Sequence, residues 1–338
     1  MKLQDQKYYC VPMKSIDTEK INVGVVGLGL MGTSLIVTLL IAGHKVKAIA
    51  PIPEDMKDAP QRILEHLMVC EDAGTLDRPV DCYLSQLVIS EDYLLLAPCD
   101  LVLECVIEIP EIKRSVYKKV EAIISTDAIL ASNTSAIPIS ELQKGLFVPQ
   151  RFLGIHWAEP SYFTRFMEIT CGAQTDAALA EWVYELAHHW GKEPTLLRKD
   201  IRGFVTNRLM YAVYREGLSI VAKGDATFED VDKAFRYDVG SWITLMGIFR
   251  RMDYMGLKDA FETYNRLAPH FCNDEQIPSL MQKMVDKNAK GTRNCLGLYS
   301  YTPDEAKRWD EAFAAFNVDI YRLAAMYPSQ REKKKTRV

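Results

Sequence analysis

Residues 23–35 read "VGVVGLGLMGTSL", with Gly27, Gly29 and Gly32 in G-x-G-x-x-G spacing. The spacing alone is a weak signal. Its meaning comes from its place, at the end of a β-branched run, "INVGVVG" (21–27), and at the head of an apolar run, "TSLIVTLLIA" (33–42). A strand that turns sharply into a helix needs a glycine at the turn, here Gly27, and another where helix and strand pack closely, here Gly32. Gly29 leaves the backbone bare for a diphosphate, which would rest on the helix N-terminus against the N–H groups around Leu30 and Met31. A purely structural glycine turn is the competing reading.

Outward from this loop the chain keeps alternating. "KVKAIA" (45–50) reads as a second strand, and 54–76 carries apolar residues at helical spacing up to Gly74. "CDLVLECVI" (99–107) is a buried-strand run, and Pro110 opens the helical "PEIKRSVYKKVEAIIS". "AILASNTS", "RFLGIHWA" and "FMEIT" follow as strands or strand ends. Such alternation predicts an α/β, doubly wound parallel sheet covered on both faces. After about residue 200 only helical patterns remain. Val205, Leu209, Val213 and Ile220 share one stripe that stops at Gly224, and Thr227 and Asp230 have capping-box spacing. The expected organisation is an N-terminal extension (1–20), a dinucleotide-binding domain (21–199), an all-helical C-terminal domain (200–328) and a basic tail (329–338).

Composition excludes several functions. A net charge of −4 gives no reason to expect nucleic acid. No apolar run reaches the roughly 18 residues that span a bilayer, and the start lacks the apolar core of a signal peptide. The eight cysteines form no C-x-x-C pair, which points to a reducing cytosol and against a disulfide framework or structural zinc. His188 and His189 are adjacent, so on a helix they diverge by about 100° and make a poor metal pair. No metal site is expected.

The second strand qualifies the cofactor. Dinucleotide sites usually place Asp or Glu at its end to hold the adenosine ribose. Here stand Ala50 and Pro51, with Glu54 and Asp55 the nearest acids. No arginine takes the acid's place, so NAD is expected, with NADP left open.

The second chemical signal is "LGIHWAEPSYFTRFMEIT" (153–170), where Glu168 follows His156 by twelve positions. A lone histidine near a strand end is usually a packed or solvated side chain. However, "GLGLMG", "LVLECVIE", "SNTSAIPISEL", "GIHWAEP" through "FMEI", "KDIRGFVTNRL" and "MGIFRRMDYMGL" occur in this order. Over roughly residues 20–305 the chain thereby resembles the L-3-hydroxyacyl-CoA dehydrogenase family, whose nucleotide domain is of the Rossmann type. The resemblance implies that His156 is the catalytic base and Glu168 its partner. It places Ser135 on the substrate oxygen, Asn133 by the nicotinamide, and Asn207 on the substrate and histidine. Glu108 and Lys113 fall along the cofactor groove. It further implies a 3-hydroxyacyl-CoA substrate and a homodimer formed through the helical domain.

The chemistry suits these residue types. Alcohol oxidation needs a base near neutrality for the O–H proton, and imidazole is one. A carboxylate on its other nitrogen fixes the tautomer and stabilises the imidazolium. Ser135 and Asn207 can hydrogen-bond the oxygen as its charge changes. Two bland alternatives stand: Ser135 caps the short helix that follows, or Asn207 is a surface amide.

Three departures open the substrate question. The family's aromatic pair and asparagine after the histidine become Trp157, Ala158 and Glu159. Glu159 either lines the pocket, raising the pKa of His156, or pairs with Arg165. The family's M-G-P-F becomes "MGIF", with Ile248 for proline. The hairpin that handles coenzyme A in relatives carries Glu71 and Asp72 where they are usually basic. A free 3-hydroxy acid of the carnitine or gulonate kind is therefore an alternative substrate, and a non-catalytic protein on the same fold a second alternative.

Overall fold

The computed structural model describes residues 17–326; residues 1–16, most of the expected extension, and the tail expected at 329–338 lie outside that span. The described residues form two compact units that part between Phe204 and Val205.

The first unit is built on one sheet of eight strands: β1 (Asn22–Val26), β2 (Lys45–Ile49), β3 (Leu87–Ser90), β4 (Leu101–Glu104), β5 (Ile129–Ser132), β6 (Phe152–Trp157), β7 (Phe166–Cys171) and β8 (Glu193–Leu197). They lie in the order 3-2-1-4-5-6-7-8. Every neighbouring pair is parallel except β6 and β7, which run antiparallel. The expected doubly wound α/β sheet is present. The central strands β4 and β5 are buried at every position, as a parallel sheet covered on both faces requires. β3 and β8, absent from the sequence reading, are the two edges. Covered less completely, "LVIS" and "EPTLL" lack the long apolar run that marks a central strand.

Helices α1 (Leu30–Ile41), α2 (Pro53–Asp72), α3 (Val80–Leu84), α4 (Pro110–Glu121), α5 (Ile139–Leu142) and α6 (Ala177–His189) connect the strands. Residues 32–40 of α1 are all buried, which explains its lack of a polar face. Pro110 opens α4 as expected.

The second unit contains α7 (Thr206–Lys223), α8 (Phe228–Ala234), α9 (Gly240–Met255), α10 (Leu257–Leu267), α11 (Ser279–Asp286) and α12 (Pro303–Met326). Among its described residues there are no strands, only isolated bridges around Leu296. Gly224, at φ 78°, ends α7, and Thr227 and Asp230 form the capping box of α8. Gly247 takes φ 72° and breaks α9 internally, so the helix is interrupted even with Ile248 in the proline position. Among the described residues no helix is long and apolar enough to cross a membrane.

Candidate active site

The chain leaves β1 toward β2 on one side and returns as β4 on the other, which opens a crevice at the carboxyl ends of these strands. The glycine loop stands there. Gly27 has φ 95°, and a Cβ on it would lie 2.9 Å from the Cys105 carbonyl. A Cβ on Gly32 would lie 1.9 Å from the Gly27 oxygen, so neither position admits a side chain. Gly29 is different: nothing comes within 4 Å of a Cβ built on it. No side chain caps α1, so its first turn, with Leu30 and Met31, presents N–H groups to an anion. Asp55 Oδ2 accepts the Leu28 N–H at 3.0 Å, and Arg62 donates to the Leu28 carbonyl at 3.3 Å. These side chains pin the loop from α2. A bare, braced loop at an uncapped helix start fits a dinucleotide diphosphate.

The far wall of the crevice rests on a residue the sequence reading passed over. Glu104, fully buried at the end of β4, accepts from Lys113 Nζ (2.7 Å), Tyr117 OH (2.8 Å), Ser132 Oγ (2.8 Å) and Val106 N (2.7 Å). The signal was a carboxylate inside "LVLECVI": a buried acid survives only with donors around it. Lys113 also pairs with Glu108 at 3.2 Å. Burial opposes the Lys113 charge, yet Glu104 and Glu108 together hold its ammonium above the ordinary lysine value. Glu108 is partly buried, which works against its charge, but Thr134 and Lys113 keep its carboxyl below the ordinary range.

Glu108 in turn orders the segment after β5. Its Oε1 accepts from the Thr134 hydroxyl and from Ser135 N, the latter at 3.1 Å. Ser135 does not cap α5, whose N-cap is Pro138 without a side-chain bond. Asn133 Oδ1 accepts from Trp157 N at 3.0 Å and so joins this segment to the end of β6.

His156 and Glu168 are directly opposed across the antiparallel β6–β7 pair. Opposed residues project to the same face, which is why a twelve-residue separation brings them together. Nδ1 of His156 lies 3.2 Å from Oε2 of Glu168. An ionised carboxylate only accepts, so Nδ1 carries the proton and Nε2 is left basic. Glu168 is 1% exposed and His156 15%. Phe166 and Phe204 pack their rings 5.3 and 6.2 Å from the imidazole. Asn207 belongs to the first turn of α7 in the second unit. Among the described residues no group of three or more His, Cys, Asp or Glu is arranged to hold a metal ion.

The β6–β7 connection is braced from below. Lys192, 3% exposed, donates to the carbonyls of Ser161 and Thr164, and its ammonium lies 5.3 Å from the centre of the Trp157 ring. Burial pushes the Glu159 carboxyl up to about 7, moderated by the Ser34 hydroxyl. The Ser34 hydroxyl that acts on it belongs to α1. Arg165 forms an ion pair with Glu193 at 3.9 Å.

A stability prediction follows from the raised pKa. The folded chain retains a proton on Glu159 that an unfolded chain, near 4.5, has lost. That contribution is fully present below 4.5 and disappears as pH rises through about 7. Glutamine stays neutral, so the Tm of Glu159→Gln should gain on the parent between pH 5 and 8. Thermal scans across that range check it; a constant difference would mean that Glu159 ionises normally.

Residues 22–201 match the model for the 3-hydroxyacyl-CoA dehydrogenase NAD binding domain, and 203–301 that for the 3-hydroxyacyl-CoA dehydrogenase C-terminal domain. The chain is 29% identical over 290 residues to the 5-formyl-3-hydroxy-2-methylpyridine 4-carboxylate 5-dehydrogenase of Mesorhizobium japonicum, covering 85% of this chain and 92% of that one. It is 30% identical over 280 residues to a Deinococcus radiodurans protein named "Probable 3-hydroxybutyryl-CoA dehydrogenase", covering 82% and 99%. A crystal structure of a 5-formyl-3-hydroxy-2-methylpyridine 4-carboxylic acid 5-dehydrogenase, described as an NAD+-dependent dismutase, superposes with a TM-score of 0.83 at 27% identity, over 89% of this chain and 97% of that one.

Proposed function

Because the chain belongs to the 3-hydroxyacyl-CoA dehydrogenase family and is an NAD-dependent dehydrogenase, we propose that its substrate is a small free hydroxy or oxo acid. The charge of the segment that handles coenzyme A in the family carries this reading. Residues 53–84 contain eight acids (Glu54, Asp55, Asp58, Glu65, Glu71, Asp72, Asp77 and Asp81) against Lys57, Arg62 and Arg78. Arg62 is already engaged by Asp58 and the Leu28 carbonyl, and Arg78 by Asp77 and the Tyr83 ring. A 3′-phosphoadenosine group needs free cations, and this surface is acidic. Likeness to the pyridine-carboxylate enzymes supports the same choice. The Deinococcus relative favours the second reading, a 3-hydroxyacyl-CoA.

NAD, when bound, supplies the hydride acceptor. In this reading Nε2 of His156 takes the hydroxyl proton, while Glu168 holds the ring and stabilises the imidazolium. Ser135 donates to the substrate oxygen, and Asn133, Glu108 and Lys113 shape the nicotinamide side. The seven described free thiols suit a cytosolic enzyme. Turnover of acetoacetyl-CoA, short free 3-oxo acids and aromatic aldehyde-carboxylates, followed by NADH absorbance, tests the choice. A kcat/KM highest for acetoacetyl-CoA would replace it with the second reading.

The helical unit is read as a dimerisation domain. Of its described residues only Ser219, Cys272 and Ala306 are buried. Val205, Leu209 and Val213 of the predicted stripe are exposed, and so are Phe249, at 80%, and Phe313. A helical unit without a core is not stable alone, and a second copy is the partner proposed to cover these side chains. Light scattering at micromolar concentration should give a dimer; a stable monomer would remove this assignment.

A further inference from the structure

β2 ends at Ile49 and is followed by Ala50, which offers no side-chain acceptor to the ribose at the adenosine end of a dinucleotide. Its neighbour compensates. β2 and β3 pair in parallel with Ile49 opposite Ser90, and Ala50 N donates to the Ser90 carbonyl at 2.9 Å. The next residue after Ser90 is Glu91, so it leaves the sheet beside Ala50, at the same carboxyl edge as the glycine loop. Ala50, Glu91, Asp92, Tyr93, Lys119 and Ile123 line one cavity of about 540 Å³.

The lining has the features of a nucleoside site. The Tyr93 hydroxyl is buried and has no hydrogen-bond partner among the described residues. That hydroxyl is available to bond a ligand in the cavity. Lys119 Nζ lies 5.3 Å from the centre of the Tyr93 ring, which occupies the cavity's single ammonium. Pro51 and Ile123 offer apolar wall to a purine. Asp92 Oδ1 is committed to Leu94 N at 2.9 Å, where it caps the turn Tyr93–Leu96. Glu91 is therefore the acid better placed to accept from a ligand. Two carboxylates against one ammonium disfavour an added 2′-phosphate.

We propose that Glu91, delivered from the edge strand β3, replaces the missing β2 carboxylate, accepts the adenosine ribose hydroxyls and so selects NAD over NADP. This rests on the reading of the chain as an NAD-dependent dehydrogenase. A binding measurement separates the two. Titration calorimetry of the full chain with NAD and with NADP should show NAD bound more tightly. Glu91→Gln should raise the NAD Kd roughly 10-fold, the scale of a lost charge-assisted hydrogen bond, and leave NADP less affected. Glu91→Arg should move the preference toward NADP by pairing with the 2′-phosphate. Glu91 is exposed, so both variants should keep the parent Tm, which the same samples verify. Unchanged Kd values in Glu91→Gln overturn the proposal while the dehydrogenase reading stands. A parent that prefers NADP also overturns it and assigns the phosphate to Lys119. A parent that binds neither nucleotide overturns both.

Discussion

His156→Gln should bind NAD as the parent does and turn over its substrate roughly 100-fold or more slowly, the usual scale of general acid–base catalysis. The separation of the two effects comes from the sheet. β6 stands three strands from β1 in the order 1-4-5-6, roughly 14 Å at ordinary strand spacing, so a change at residue 156 does not reach the glycine loop. Glutamine keeps a donor for Glu168 but has no basic nitrogen to take the hydroxyl proton. Glu168, buried and opposed in register, then faces a neutral amide and has no imidazolium to stabilise. Steady-state rates together with the NAD Kd check the prediction. Near-normal turnover in a folded variant would show that the His–Glu pair is structural, and a large rise in the NAD Kd would show that the two sites are not independent.

The parts of this protein legible in its sequence are those where one strong local constraint acts. The glycine loop is one, since Gly27 and Gly32 sit where the backbone leaves no room for a Cβ. The pairing of His156 with Glu168 is legible only through the family resemblance, since their spacing alone does not show that β6 and β7 run antiparallel in a register that sets the two residues opposite each other. The edge strands β3 and β8 escaped because a strand covered less completely need not be apolar throughout. The role of Glu159 escaped for another reason. Three residues from a histidine suggests an effect on the imidazole, whereas the raised carboxyl of Glu159 comes from its burial. Local spacing does not report how deeply a side chain is buried.

Glu104 is the largest such omission, and it carries the second prediction. Lys113→Met should lower stability by about 3–5 kcal/mol, the cost of removing one partner from a buried ion pair. For a unit of this size that corresponds to a Tm drop of roughly 6–20 °C. Lys113 and Glu104 are 1% and 0% exposed, 2.7 Å apart. Methionine fills most of the lysine's volume, so packing contributes little to the loss. The cost is electrostatic, because Glu104 keeps its bonds to Tyr117, Ser132 and Val106 N but no longer faces a cation. Glu104→Gln combined with Lys113→Met removes the stranded charge, so the double variant should regain most of the lost stability. The same change releases Glu108, which Lys113 holds at 3.2 Å and which bonds Ser135 N. NAD affinity should therefore weaken in the single variant and stay weak in the double one, since neutralising Glu104 does nothing for Glu108. Thermal unfolding of the three proteins tests the electrostatic claim. A double variant no more stable than Lys113→Met would show that the lysine acts through packing. NAD titrations test the link to the site, and parent-like affinity in both variants would show that Glu108 needs no cation to hold Ser135.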